Sequence, residues 1–207
     1  ISLQNTTNRG GGNPYRPESL QAIHDLARES HMRVHLDGAR IFNAVVAAGH
    51  HVQDYTEHVD TVTFCFSKGL GAPVGSILAG DADTIERAHR YRKMLGGGMR
   101  QARILAAAAQ YALDHHIDRL AEDHRRAHAL RTALEDIDTL EFPLPSPTNI
   151  VYVETPSSKV FAGDLESNGV LAIPVSETRV RFVFHLDVDD AGLEKAIAAA
   201  KRAAGSL

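Results

Sequence analysis

The sequence predicts an α/β protein, with a mostly parallel sheet in residues 1–116 and a small α+β unit in residues 117–207. Three observations carry this. Strand, helix and strand signals alternate at βαβ spacing through the first eighty residues or so. Two predicted strands end on charged side chains followed by small residues, "HLDGA" and "FSKGLGA". After a block of three long helical patterns and a Pro-rich stretch, short strands and helices mix again.

The elements follow in order. Residues 1–3 read as a strand already in progress, so the expectation is that further chain precedes Ile1. Pro17 opens a helix, because Pro is tolerated at the first helical position, and Leu20, Ile23, Leu26 and Ala27 keep helical spacing. A strand over 34–36 follows. The helix 39–48 stops at Gly49, a residue suited to a left-handed cap. Strands over 61–66 and 75–79 flank a run of Gly, Ala and Pro. Helices over 81–95, 101–115 and 118–135 come next, and the Pro-rich "FPLPSP" of residues 142–147 is the best linker candidate. A strand over 149–153, a helix near 159–167, strands over 170–173 and 180–183 and an alanine-rich helix from Asp189 complete the chain.

Composition narrows the function. With 207 residues, 43% hydrophobic and 23% charged, the chain can bury a core. A formal net charge of −4 argues against nucleic acid as partner, since that affinity rests on clustered Lys and Arg. No apolar run is long enough to cross a bilayer. The single cysteine, Cys65, fits a reducing cytoplasm and, lying inside a strand, reads as packing.

In open α/β sheets ligands sit outside the carboxyl ends of the strands. Two such ends stand out: Asp37, followed by Gly38, Ala39 and Arg40, and Ser67 with Lys68. They are about thirty residues apart, the length of one βαβ crossover. A carboxylate and an amine so placed have two readings. Asp37 could cap the following helix or form an ion pair while Lys68 snorkels to solvent. Alternatively, the lysine forms a Schiff base with pyridoxal phosphate and the carboxylate pairs with its pyridine nitrogen. Gly69, Gly71 and Ala72 would then let backbone approach the cofactor.

The strings "HLDGARIFNAVVAAG", "FSKGLGAPVGS", "YRKMLGGGMRQ" and "VRFVFHLDV", in this order, resemble the low-specificity L-threonine aldolases, pyridoxal phosphate enzymes of fold type I within the β-eliminating lyase group. The similarity runs from "ISLQNTTN" to the last helix. It implies a PLP-dependent transferase-like fold, residues 1–116 being the C-terminal part of the cofactor-binding large domain. It also implies retro-aldol cleavage of L-threonine or L-allo-threonine to glycine and acetaldehyde in a cytoplasmic homotetramer. Lys68 matches the Schiff-base lysine, and Asp37 the partner of the pyridinium nitrogen. Arg40 and Arg181 match the arginines that meet the substrate carboxylate; Arg40 also borders the cofactor. Arg100 matches a phosphate contact reaching into a neighbouring subunit, and Lys93 an active-site lysine on the substrate side.

The family carries an N-terminal portion before "ISLQNTTN", with a Gly-Thr phosphate loop and a histidine that stacks on the cofactor ring; neither is in this sequence. Gln4 stands where the family commonly has Glu. Two other functions stay open: a related β-eliminating lyase acting on another amino acid, and a non-catalytic module keeping only assembly surfaces. The 12 histidines show no H-E-x-x-H or paired Cys and His spacing, so no metal site is expected. His50, His51, His115 and His116 fall in predicted turns. His185, just past the Arg181 strand, reads equally as a site-lining or a structural residue.

Overall fold

The computed structural model describes all of residues 1–207. The chain forms two compact units, Ile1–Thr6 with Pro14–Asp118, and Thr7–Asn13 with Arg119–Leu207.

In the first unit a four-stranded sheet has the order β1 (Ser2–Gln4), β2 (His35–Asp37), β3 (Thr61–Cys65), β4 (Ser76–Gly80). The first three strands are parallel and β4 is antiparallel to β3. Crossovers join the parallel strands: α1 (Pro17–Glu29) between β1 and β2, then α2 (Ile41–Ala48) and α3 (Val52–Thr56) between β2 and β3. Strand register puts Leu3, Leu36 and Val62 in one row and Gln4, Asp37 and Thr63 in the next. Side chains alternate across a sheet, so the two rows face opposite ways. The Leu36 row packs with Leu20, Ile41, Ala44 and Tyr55 of the three helices. The Asp37 row is polar.

The expected boundaries hold within one or two residues for most elements, and Gly49 ends α2 with φ 68° as a left-handed cap. The helix α3 was not expected, because His50 and His51 read as a turn. Its five residues are anchored instead by fully buried Tyr55 and by Asp54, whose carboxylate accepts from the His51 N–H at 2.7 Å. Cys65 is half-buried rather than packed inside. The helices α4 (Ala82–Met94) and α5 (Arg103–His115) follow β4; α4 has no buried residue.

The second unit holds α6 (Leu120–Leu134), β5 (Ile150–Glu154), α7 (Ser158–Ser167), β6 (Ile173–Pro174), β7 (Arg179–Val183) and α8 (Asp190–Ala204). Its sheet is antiparallel, ordered β5-β7-β6. Val151, Val153, Val180 and Phe182 form one face and pack on Leu130, Leu134, Phe161 and Leu165. The alanine run of α8 serves that contact. Ala196, Ala199, Ala200 and Ala203 are buried at helical spacing, and small side chains let the helix approach closely.

Two expectations fail here. The Pro-rich segment is not a linker: it lies inside this unit, where the Leu144 carbonyl accepts from Arg131. The strand expected over 170–173 shrinks to Ile173–Pro174. Gly169 turns left-handed at φ 71° and the Val170 N–H bonds back to the Leu165 carbonyl at 2.9 Å, so the backbone at Val170 closes α7 instead of joining the sheet.

Candidate active site

The carboxyl ends of β1, β2 and β3 lie side by side, with adjacent strands about 4.8 Å apart. Asp37 is the last residue of β2. Its Oδ1 accepts from the Ala39 N–H at 3.0 Å, and the Gly38 N–H continues the ladder to the Thr63 carbonyl at 2.8 Å. A side chain at Gly38 would press within 3.0 Å of that carbonyl, so glycine keeps the strand end close-packed. Arg40, at the head of α2, ties this edge to β1: its carbonyl accepts from Thr6 Oγ1 at 3.0 Å.

Beyond β3 the bend is built to present Lys68. Phe66, Leu70 and Ala72 are buried against Ala109 and Ala112 of α5, so the flanks of the bend are anchored. The Lys68 carbonyl accepts from the Gly71 N–H at 2.8 Å and the Phe66 carbonyl from the Ala72 N–H at 3.0 Å, which closes the turn. His116, at the end of α5, pins the same turn through Nδ1 and the Leu70 carbonyl at 2.6 Å. With Phe66 and Leu70 held inside, the Lys68 side chain is left exposed at the sheet edge.

Asp37 and Lys68 do not pair with each other, and neither forms an ion pair elsewhere in the chain. The structural ion pair considered from the sequence is therefore absent, and so is the helix cap: α2 starts at Ile41 without a side-chain cap, and Asp37 bonds the Ala39 N–H ahead of it. At the end of β1, Asn5 is buried, and its Oδ1 accepts from the N–H groups of Thr6 and Tyr15 at 2.8 and 2.9 Å. Those two donors fix the amide orientation and leave Nδ2 buried without a partner. A buried donor in that state costs about 1–3 kcal/mol unless an acceptor arrives. The edge thus offers a carboxylate without an ion pair, an exposed amine and a buried amide N–H without an acceptor.

Lys93 and Arg100 are placed differently. Lys93 is in the last turn of α4 and Arg100 in the segment before α5; both are exposed, and no hydrogen bond or ion pair links them to Asp37 or Lys68. Around them Met94, Leu95, Met99 and Ile104 are 63–86% exposed, a large apolar surface.

Arg181 belongs to the second unit. It lies mid-β7 opposite Tyr152 of β5 and Ile173 of β6, on the sheet face away from the core. Its Nη1 donates to Asn8 Oδ1 at 2.6 Å, while Nε is buried without a partner. A cavity of about 450 Å³ lies on this side of the unit, lined by Asn8, Arg9, Tyr152, Val175, Ser176 and Arg179. Arg179 is paired with Glu154, but Arg181 makes no ion pair. His185 is exposed beside Asp187, with 3.4 Å between Nδ1 and Oδ2.

The sequence profile of the Beta-eliminating lyase family matches residues 1–156. The chain belongs to the β-eliminating lyase family. Among its relatives, the low specificity L-threonine aldolase of Escherichia coli O157:H7 is 44% identical over 196 residues, covering 91% of the chain and 55% of that protein. A protein of Arabidopsis thaliana named probable low-specificity L-threonine aldolase 2 is 40% identical over 200 residues, 94% of the chain and 56% of that protein. The chain spans about half the length of the curated relatives it matches. The solved structure of Leishmania major threonine aldolase superposes with a TM-score of 0.79 at 18% identity, covering 99% of this chain and 60% of that one. The fold is fold type I, as the resemblance implied.

Asn5, Thr6 and Asn8 were not singled out from the sequence. A signal existed for the first two: they follow the β1 strand end, just as Asp37 and Lys68 sit at theirs. Thr6 adds backbone strain, with φ 52° in a residue that rarely adopts it. Asn8 had no such signal, since its partner lies 173 residues away.

Proposed function

We propose that the protein carrying this chain cleaves the Cα–Cβ bond of L-threonine or L-allo-threonine with pyridoxal phosphate, releasing glycine and acetaldehyde. The observation that carries this reading is the placement of Asp37 and Lys68, both without a countercharge, at the carboxyl ends of adjacent parallel strands. The cofactor fits these residues. It has an aldehyde for an amine and a ring nitrogen for a carboxylate, and buried Asn5 Nδ2 is a donor still lacking an acceptor. When bound, pyridoxal phosphate supplies a conjugated sink for the electron pair left as Cα–Cβ breaks.

The chain's own groups take the remaining tasks. Lys68 Nζ holds the aldehyde end, and Asp37 keeps a proton on the ring nitrogen by its negative charge. Arg100 would meet the cofactor phosphate held in a neighbouring subunit. Arg40 and Arg181 grip the substrate carboxylate, which a guanidinium can meet through two parallel hydrogen bonds, and so orient the bond to be broken. Lys93 lies on the substrate side. The names of the aldolase relatives support the choice of threonine. The exposed Met94, Leu95, Met99 and Ile104 support assembly into a homo-oligomer, a tetramer on the family pattern, and half-buried Cys65 suits the cytoplasm.

Lys68→Ala in the full-length protein should remove the visible absorbance of lysine-bound pyridoxal phosphate and reduce glycine formation from threonine to the uncatalysed blank. If both persist, the role given to Lys68 is wrong. A second reading rests on the breadth of the matched family, which is described by β-elimination. Incubation with serine or cysteine decides it: elimination yields pyruvate and ammonia, whereas cleavage of threonine yields glycine and an aldehyde.

A further inference from the structure

Asn8 reaches Arg181 from a segment that is itself immobilised within the second unit. The Gly12 carbonyl accepts from Thr148 Oγ1 at 3.0 Å, the Gly10 carbonyl from Asn13 Nδ2 at 2.8 Å, and the Thr7 carbonyl from the Gly12 N–H at 3.0 Å. The turn therefore holds Asn8 without help from Arg181. Facing a guanidinium, which has donors only, the Asn8 amide must present its oxygen.

Two consequences follow from the chemistry of that contact. Nη1 lies on the Cδ side of a guanidinium, so a bond to Nη1 fixes the plane of the group and leaves Nε–H and Nη2 as a fork on the other edge. Nε is the buried donor with no partner. The acceptor is also neutral, so it orients the arginine without cancelling its charge. A carboxylate in the same place would do both.

We infer that Asn8 is the positioning residue for carboxylate recognition, holding the Arg181 guanidinium by Nη1 so that its charge and its Nε–Nη2 edge stay available to the carboxylate of an amino-acid substrate. This rests on the assignment of Arg181 to that carboxylate under the proposed function. Asn8 touches no reacting atom and acts through Arg181 alone.

The test compares L-threonine with L-threoninamide, which lacks only the carboxylate, in the full-length enzyme. Asn8→Ala should raise KM for threonine about tenfold or more, the loss expected for one hydrogen bond to a charged group, with kcat changed less and KM for threoninamide moved under about twofold. Asn8→Asp, nearly isosteric and so protected against misfolding, keeps an acceptor but neutralises Arg181; it too should weaken threonine selectively. A readout independent of turnover is the side-chain ¹⁵Nε–H resonance of Arg181, which acetate should shift in the parent chain and shift less in Asn8→Asp. Equal losses for both substrates, or no loss, would overturn the role of Asn8. Arg181→Leu separates this from the underlying reading. If that variant weakens threonine no more than threoninamide, the assignment of Arg181 itself falls; if it weakens threonine selectively and the Asn8 variants do not, only the inference about Asn8 falls.

Discussion

Gly12 shows how a single residue can govern a segment. Its φ of 75° is one that L side chains rarely adopt, and a methyl group built there would overlap the Thr148 hydroxyl. Both penalties act on the turn that carries Asn8. Gly12→Ala should therefore destabilise the second unit by about 1–3 kcal/mol, measured by urea unfolding. Adding Thr148→Ala removes the overlapping oxygen but not the backbone strain, so the double variant should recover part of the loss and never all of it. Additive losses would show that Gly12 is not held against Thr148. Nothing local in "NRGGGN" reveals this contact, because Thr148 is distant in the chain. Asp37 and Lys68 were legible for the opposite reason: strand ends and small neighbours are local signals. What the sequence could not tell was that the two groups decline to pair with each other.

At the scale of elements, what matters at the sheet edge is strand register, and Asp60 sets it from the other end. Its Oδ2 accepts from the Val34 N–H at 2.7 Å, its own N–H bonds the Val34 carbonyl at 2.8 Å, and Arg28 of α1 donates to Oδ1 at 2.9 Å. These bonds align the start of β2 with the start of β3, and the pairing of Asp37 with Thr63 follows two residues on. Burial alone would raise the Asp60 pKa, but the Val34 N–H, the Arg28 hydrogen bond and the charges of Arg28 and Arg33 together hold it below the ordinary carboxylate value. Its folded pKa being depressed, the stabilisation is complete above the unfolded pKa of about 4 and is lost as pH falls through the folded value. Asp60→Asn should lower stability at pH 7 by about 1–3 kcal/mol in urea titrations, and the deficit should shrink below pH 4. An unchanged deficit at pH 3 would mean the charge plays no part. The sequence could not show this latch, since Asp60 reads only as the polar residue before a strand. Long helices and the Gly49 cap were readable because periodicity and left-handed glycine act locally. The helix α3 was not, being held by the burial of one tyrosine.

For the whole molecule, the two units carry different acid sensitivities. The second contains His124 on α6, next to Asp123, which is fully buried and paired with Arg119 at 2.5 and 3.1 Å. Burial pushes the His124 pKa from 6.5 down to about 4, only partly opposed by the Asp123 carboxylate. In the unfolded chain the imidazole titrates near 6.5, so between about pH 6.5 and 4 the unfolded state binds a proton that the folded state refuses. Stability is thus greatest above that window, falls as pH drops through it, and loses up to about 3 kcal/mol by its lower edge. The Asp60 latch of the first unit begins to fail only where that window ends. Acidification from pH 7 to 4.5 should therefore weaken the second unit before the first. Pulse proteolysis in urea, with fragments assigned to each unit, should show the midpoint of residues 119–207 falling over this range while that of residues 14–118 stays nearly level. His124→Gln removes the titrating group, and the midpoint of the second unit should then become almost flat between pH 6.5 and 4.5. A parent chain already flat there, or a variant as steep as the parent, would place the acid-sensitive group elsewhere than His124.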